Sequence, residues 1–276
     1  MTSINPLDVL LWTLRRNEKD VINLYSTMSP MMQAATGGEM LNFGYWDDQH
    51  KTPLEAQENL CDYFGSISEL DSAKNVIDVG SGLSAPAKYW KKRYGHLSIS
   101  CVNINYSQLL SGKSSNHNSL NSSSTLLPFS NKSFDRILAL ESSQHFKPYS
   151  DFLEESKRIL SDSGFLVLAV PITMYSRSAN KLGILKFTWS SEHYSIQQIH
   201  DFLNSAGFSI YEEKFIGPSV YDPLADYYVK NREKLQKLIL KEYSPMIEKI
   251  LFKSIQKMKQ ASESGIIDYV LLKCHI

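Results

Sequence analysis

The stretch Asn75-Val76-Ile77-Asp78-Val79-Gly80-Ser81-Gly82-Leu83-Ser84-Ala85-Pro86 restricts the folds open to this chain more than any other. Val76 to Val79 is a short β-branched run with one acid inside it, the pattern of a buried strand. Gly80 and Gly82 carry no Cβ, so the backbone there turns sharply and comes close to a ligand. A helical pattern runs from Pro86 to Tyr94, with proline suited to a first helical turn. Strand, glycine turn and helix together predict the first βα unit of a nucleotide-binding α/β fold, with its ligand at the carboxyl end of the strand.

The glycines admit more than one reading. Gly80-x-Gly82-x-x-Ala85 fits the dinucleotide fingerprint, which tolerates Ala at its third position, so an NAD(P)-dependent reductase is one. Asp78 weighs against it, because a carboxylate there is repelled by a pyrophosphate and attracted by an ammonium group. A tight turn with a chance acid is another. The stretch resembles motif I of the class I S-adenosylmethionine (SAM)-dependent methyltransferases, in which a strand ends in an acid followed by x-Gly-x-Gly. The resemblance implies that Asp78, Gly80, Ser81 and Gly82 bind SAM, whose methionine end carries an amine. Ser84 stands where that family has a third glycine.

A chain of 276 residues with 42% hydrophobic residues has enough apolar side chains for one large core. Its 29 basic residues equal its 29 acidic ones, which removes the electrostatic argument for nucleic acid as the main partner. No apolar run reaches the length of a membrane span, and the first residues lack the pattern of a secretory signal. Cys61, Cys101 and Cys274 lie far apart without metal-ligand spacing, as expected of buried thiols in a cytoplasmic protein, and no metal site is predicted. The expected partner is a small-molecule acceptor, with the protein a monomer or homo-oligomer.

Apolar residues recur at helical spacing from Pro6 to about Met28, and the charged group around Arg15 and Asp20 lies on the solvated face or breaks the helix. From Met28 to Lys51 periodicity fades. The segment Leu41-Asn42-Phe43-Gly44-Tyr45-Trp46 resembles the N-terminal cap of small-molecule methyltransferases acting on natural-product sugars, sterols and isoprenoids. That resemblance implies contact of Tyr45 with the cofactor and of Tyr45 and Trp46 with the acceptor. Aromatic faces attract a cation such as a sulfonium by ~0.5–2 kcal/mol. Packing of the cap onto the core explains both rings equally well. Thr52 and Pro53 begin a helix that reaches Phe64, and Gly65 ends it.

Leu97 to Ile104 reads as the second strand. Its end should hold the ribose hydroxyls through Asn103 beside Ile104, with Asn105 a second candidate; an uncharged amide binds a hydroxyl more weakly than a carboxylate does. Ser111 to Ser124 is poor in apolar residues and reads as loop. Family members place a helix and a strand there, ending in an Asp on the adenine side, where this chain offers Ser123 and Ser124, followed by Leu126.

Leu127-Pro128-Phe129 and Ser133-Phe134-Asp135 also resemble the family and lead into a strand from Arg136 to Leu140. The Glu141-Ser142-Ser143-Gln144-His145 that follows resembles the Glu-x-x-x-His block of macrolide sugar O-methyltransferases and sterol C-methyltransferases. His145 is the candidate base and Glu141 a partner for it, for the cofactor or for a cationic intermediate. The alternatives are a His145 satisfied by backbone at a helix start and a structural Glu141. Gln144, His193 and Tyr221 are further acceptor-side candidates. Pro171 occupies the place where several relatives carry an acid. Ile172 to Tyr194 is expected to lie over the site, Asp222 to about Lys259 to form a helical substrate lid, and Ile266 to Cys274 to return as the last strand.

The predicted fold is α/β, a Rossmann-like seven-stranded, mostly parallel sheet with an antiparallel last strand and a helical cap. A single domain is expected over residues 1–276, with cap 1–52, cofactor-binding core 53–171, and lid insert, lid helices and last strands 172–276. The predicted activity is methyl transfer from SAM to a hydroxyl of a natural product or sugar, releasing S-adenosylhomocysteine. C-methylation of an isoprenoid or sterol-like alkene is the alternative, and a degenerate fold that only binds is the third.

Overall fold

A computed structural model describes residues 11–114, 117–175, 178–189 and 191–276 of the chain. Seven strands form one sheet: β1 (Asn75–Val79), β2 (Ser98–Asn103), β3 (Asn118–Asn121), β4 (Phe134–Leu140), β5 (Leu160–Thr173), β6 (Ser209–Phe215) and β7 (Ile267–His275). Their order is β3-β2-β1-β4-β5-β7-β6. Only β7 runs against its neighbours, wedged between β5 and β6. The chain reverses direction across the sheet at β1, where parallel partners lie on both sides, and ligands of such sheets bind at that crevice.

The helices that accompany the sheet after a helical turn at 11–14 are α1 (Glu18–Thr36), α2 (Pro53–Ile67), α3 (Ala85–Arg93), α4 (Tyr106–Ser111), α5 (Tyr149–Ile159), α6 (Leu185–Thr188), α7 (Ile196–Ala206), α8 (Gly217–Lys230), α9 (Arg232–Ile239) and α10 (Pro245–Glu263). One apolar core joins the sheet to α2, α3, α8 and α10 through Phe64, Trp90, Tyr221 and Met258. Another joins it to α5 and α7 through Phe152 and Leu203. A smaller cluster around Met31, Leu235 and Tyr243 fastens α1 to the helices after β6.

Three expectations change. The Pro6-to-Met28 helix lies partly outside the described residues. Within them it breaks at Asn17, whose side chain accepts from Asp20 N while Asp20 accepts from Asn17 N, a reciprocal cap that starts α1. The new helix then runs through Pro30 to Thr36 rather than fading at Met28. Pro30 removes one N–H, but Met31 is buried against the α9 side, and that packing outweighs the lost bond. Gly65 does not end α2, which closes two residues later.

The Ser-rich segment is not all loop. β3 pairs with β2 in parallel register, Ser100 against Asn118 and Asn103 against Asn121. It is a short edge strand with three of its four residues exposed, so it carries no apolar alternation to read.

Opposite the ligand edge, two cations are buried. Lys273, 2% exposed, pairs with Glu69 and lies 4.1 Å from the Phe165 ring centroid. Arg136 donates to Ser68 O at 2.6 Å and lies 4.9 Å from the same ring. These contacts tie β4, β5 and β7 to the end of α2.

Gly112 closes α4 against the glycine turn. A Cβ there would meet Leu83 O at 2.1 Å. Gly112→Ala is therefore expected to lower stability by ~1–3 kcal/mol, read from the denaturant midpoint, because either α4 or the turn must move. An unchanged midpoint would show that the two segments are free to separate.

Candidate functional site

The turn after β1 is built by backbone contacts. Gly80 N and Ser81 N both donate to Val102 O, at 2.7 and 3.1 Å, which draws the turn onto the end of β2. On the other side Ser142 donates from Oγ to Val79 O at 2.7 Å. Gly80 sits at φ 76°, and a Cβ on it would lie 2.5 Å from Ser142 Cβ. Gly80 is thus fixed both by conformation and by space. Ser84, in the place of the expected third glycine, takes φ 56° as well, a strained region for a residue with a Cβ.

The turn opens onto a cleft with about 990 Å3 of empty space, part of it open to solvent. Gly80, Ser81, Gly82, Asn103, Ile104 and Ser124 line it, as do Glu141 and His145. The structure therefore brings together the glycine turn, the ends of β2 and β4, and the Ser-rich segment.

Asn103 is 7% exposed, and its amide is occupied: Nδ2 donates to Gly82 O at 3.1 Å and to Gln108 Oε1 at 2.9 Å. Its Oδ1, which accepts from Asn105 N at 3.3 Å, keeps one lone pair for a hydroxyl. Asn105 and Gln108 reach the other way. Asn105 Nδ2 donates to Ser26 Oγ at 3.1 Å, and Gln108 Nε2 donates to Ser29 Oγ at 3.0 Å. These bonds hold α1 across the cleft, so that Glu18, Val21 and Tyr25 form part of its wall.

Glu141 follows β4 at φ 52°. Its Oε1 accepts from Phe43 N and from the Tyr269 hydroxyl, both at 2.9 Å. Burial nevertheless raises its pKa to about 8. His145 ends a short 3-10 turn, Ser143–His145. Its Nε2 lies 2.9 Å from the Tyr25 hydroxyl, and its Nδ1 has no partner among the described residues. Burial lowers its pKa to about 4, so the ring is neutral at physiological pH. The Tyr25 hydroxyl is pushed well above its usual range by burial and by Glu141, so it stays protonated, and it donates to His145 Nε2 when the imidazole carries its proton on Nδ1.

Other predicted residues lie off the cleft wall. Asp78 is 2% exposed, beneath the turn; its Oδ2 has no partner among the described residues, and burial raises its pKa to about 7. Leu126 points to solvent, 73% exposed. Tyr45 stacks on Tyr63 at 5.0 Å, and Trp46 packs on Tyr227 at 5.6 Å, so the cap rings fasten the cap to the body. Gln144 donates back to Glu141 O at 2.7 Å. Tyr221 is fully buried, bonded to Asp268 O at 3.2 Å and packed on Phe43 and Trp189. His193 is largely buried beside Arg16, which with burial lowers its pKa to about 4, and Tyr194 after it packs on Tyr149. For the two cap rings and for Tyr221 the reason is common: an apolar ring gains more from packing on other rings than from facing a polar cleft.

Sequence reasoning passed over Tyr25, Asn42 and Tyr269. Tyr25 was read within an apolar helical stripe. Asn42, 7% exposed, lines the cleft with an Oδ1 that has no partner among the described residues. Tyr269 lies in an apolar strand run, and nothing local to it points at Glu141. No helix among the described residues is long and apolar enough to cross a membrane, and no cluster of three metal-ligating side chains occurs among them.

Comparison with known proteins agrees with this geometry. Residues 77–168 match a methyltransferase domain family. The chain is 24% identical over 278 residues to erythromycin 3''-O-methyltransferase of Saccharopolyspora erythraea, covering 92% of this chain and 87% of that enzyme. The crystal structure of the [4+2]-cyclase SpnF superposes with a TM-score of 0.77 at 17% identity, over 94% of this chain and 96% of that one. A geranyl diphosphate methyltransferase solved with geranyl diphosphate and sinefungin also gives 0.77, at 12% identity, over 94% and 98%. The matched domain, the relative similar over most of both chains and the strand order support a SAM-dependent methyltransferase.

Proposed function

We propose that the chain methylates a hydroxyl of a small, largely apolar natural product or sugar. The observation that carries this reading is the Tyr25–His145 pair in the cleft wall, a neutral imidazole already bonded to a cleft-facing hydroxyl. The similarity to erythromycin 3''-O-methyltransferase over most of both chains supports it.

The cleft fits the cofactor. Two buried acceptors, Asn42 Oδ1 and Asp78 Oδ2, have no donor among the described residues. Asn42 lies in the cleft wall, 3.9 Å from Cys61 Sγ through Nδ2, and Asp78 lies beneath the glycine turn. An ammonium group supplies the donors they lack. Asn42 would meet the amine at the wall, with Asp78 as negative charge behind it. Asn103 Oδ1 would meet a ribose hydroxyl, and Ile104 and Ser124 the adenine side. When bound, SAM supplies an electrophilic methyl on a sulfonium.

The chain's own residues then orient and deprotonate. α1 and the glycine turn exclude water from opposite sides, so that proximity does much of the work. The acceptor hydroxyl gives its proton to Tyr25 Oη as Tyr25 passes its own to His145 Nε2, or gives it directly to His145. A base with so low a pKa takes the proton only as the new bond forms and the hydroxyl turns acidic. Glu141, held by Tyr269 and Phe43, faces the same space, and a cation entering there would restore its charge. That carboxylate keeps C-methylation of an alkene as a second reading, with Glu141 steadying a carbocation.

Three outcomes are expected. His145→Ala and Tyr25→Phe each lower kcat on a hydroxyl acceptor, His145→Ala by ~10²–10⁴-fold, while calorimetric SAM affinity stays unchanged; undiminished turnover of both variants would remove the base assignment. The acid limb of kcat, with SAM and acceptor saturating so that Asp78 is already engaged, lies near pH 4, where buried His145 protonates, and not near its ordinary 6.5; a limb at 6.5 would point to an exposed base.

The third concerns Asp78. Its folded pKa is raised from 3.8 to about 7, so the folded state binds its proton more tightly than the unfolded chain does. Stability of the ligand-free protein therefore declines as pH rises from about 4 through 7. Asp78→Asn should flatten that decline in thermal midpoints and weaken SAM binding in calorimetry. Full SAM affinity in this variant would place the amine elsewhere.

A further inference from the structure

The chain is neutral overall, yet its charge is not evenly placed. Nine of the 29 basic residues but only three of the 29 acidic ones fall within residues 230–259. These residues form the end of α8, all of α9 and most of α10, outside the cleft described above.

The lysines are sorted by helix geometry. Lys230, Lys234, Lys237 and Lys241 recur every three or four residues and line one shallow depression. They lie on the side of α9 away from buried Leu235 and Ile239. On α10, Met246, Lys249, Ile250 and Lys253 share the outward face. Met246 is 69% exposed and Ile250 37%. Lys237 is paired with Glu233 at 2.9 Å, whereas Lys230, Lys234, Lys241, Lys249 and Lys253 make no ion pair among the described residues.

We propose that the outer face of α10, where Lys249 and Lys253 flank Met246 and Ile250, docks on an anionic lipid bilayer. Lysines at the headgroups with two apolar side chains between them are what a peripheral surface helix presents. The charge argues against a second copy of the chain, since like faces repel. It fits nucleic acid less well. Arg232 is turned inward, 3.5 Å over the Phe252 ring and paired with Glu248, so the face offers lysine alone, with no guanidinium fork and no open aromatic ring for a base. Buried Tyr243, between α9 and α10, donates to Thr27 O of α1 at 2.8 Å and so ties these helices to the cover of the cleft. The proposal is independent of which atom is methylated.

The test is co-sedimentation of the full chain with vesicles of phosphatidylcholine alone and of phosphatidylcholine mixed equally with phosphatidylglycerol. Binding to the mixed vesicles alone, weakened by salt, is expected. Each surface lysine should change the partition coefficient by about fivefold, so K249E/K253E should lose well over tenfold. M246S/I250S should weaken binding without changing its salt dependence. Both variants alter only exposed side chains, and calorimetric SAM binding checks their fold. No sedimentation with mixed vesicles, or sedimentation untouched by both variants, overturns the proposal. So does retention on single-stranded RNA that K249E/K253E abolishes and M246S/I250S leaves intact, combined with no vesicle binding.

Discussion

The Val102 carbonyl accepts two amide protons, from Gly80 and Ser81, and the site is built outward from that point. The bonds fold the chain end of β1 over the end of β2. They leave Gly80 so close to Ser142 that only hydrogen fits on its α-carbon. Three strand ends are thereby brought to one edge of the sheet. Asn103 then bonds the Gly82 carbonyl, Gln108 bonds Asn103, and Ser29 of α1 receives Gln108. The cover of the cleft is tied to the sheet by this chain of polar contacts, while the apolar cluster around Met31 holds its other side to α9.

The same enclosure makes the electrostatics unusual. Glu18, Glu39 and Glu141 line the cleft, with Lys147 as the one lysine or arginine among the described lining residues. Burial holds His145 neutral and keeps Glu141 and Asp78 reluctant to ionise. Without ligand, these groups are desolvated and poorly paired, which is destabilising. A ligand with two positive centres relieves that cost. The arrangement is one in which the protein is incomplete until its cofactor is in place.

Local chemistry was legible in the sequence. The β1 strand and its glycine turn, the Thr52 cap of α2 and the late return of β7 all rest on signals within a few residues. What escaped depends on contacts between distant segments. Pro30 inside α1 is tolerated because Met31 has a partner on α9, a fact that no local propensity contains. β3 is a strand because β2 pairs with it, not because of its own residues. Tyr25 and His145 are 120 residues apart, and their bond exists only once α1 has crossed the cleft. Tyr45 and Trp46 look like ligand-facing rings in a cap segment, but neighbouring rings on the body claim them first.

The position of β7 has a consequence for how the chain comes into being. It lies between β5 and β6, yet it is made after both. Until it emerges, β5 exposes a long apolar edge, and β6 has no neighbour to hold it. Glu69 also lacks its buried partner Lys273 until then. The cofactor turn can assemble early on the ribosome, because β1, β2 and β4 precede it all, but the far side of the sheet must wait. During that interval the nascent chain carries an open sheet edge, the state in which such proteins most depend on chaperones.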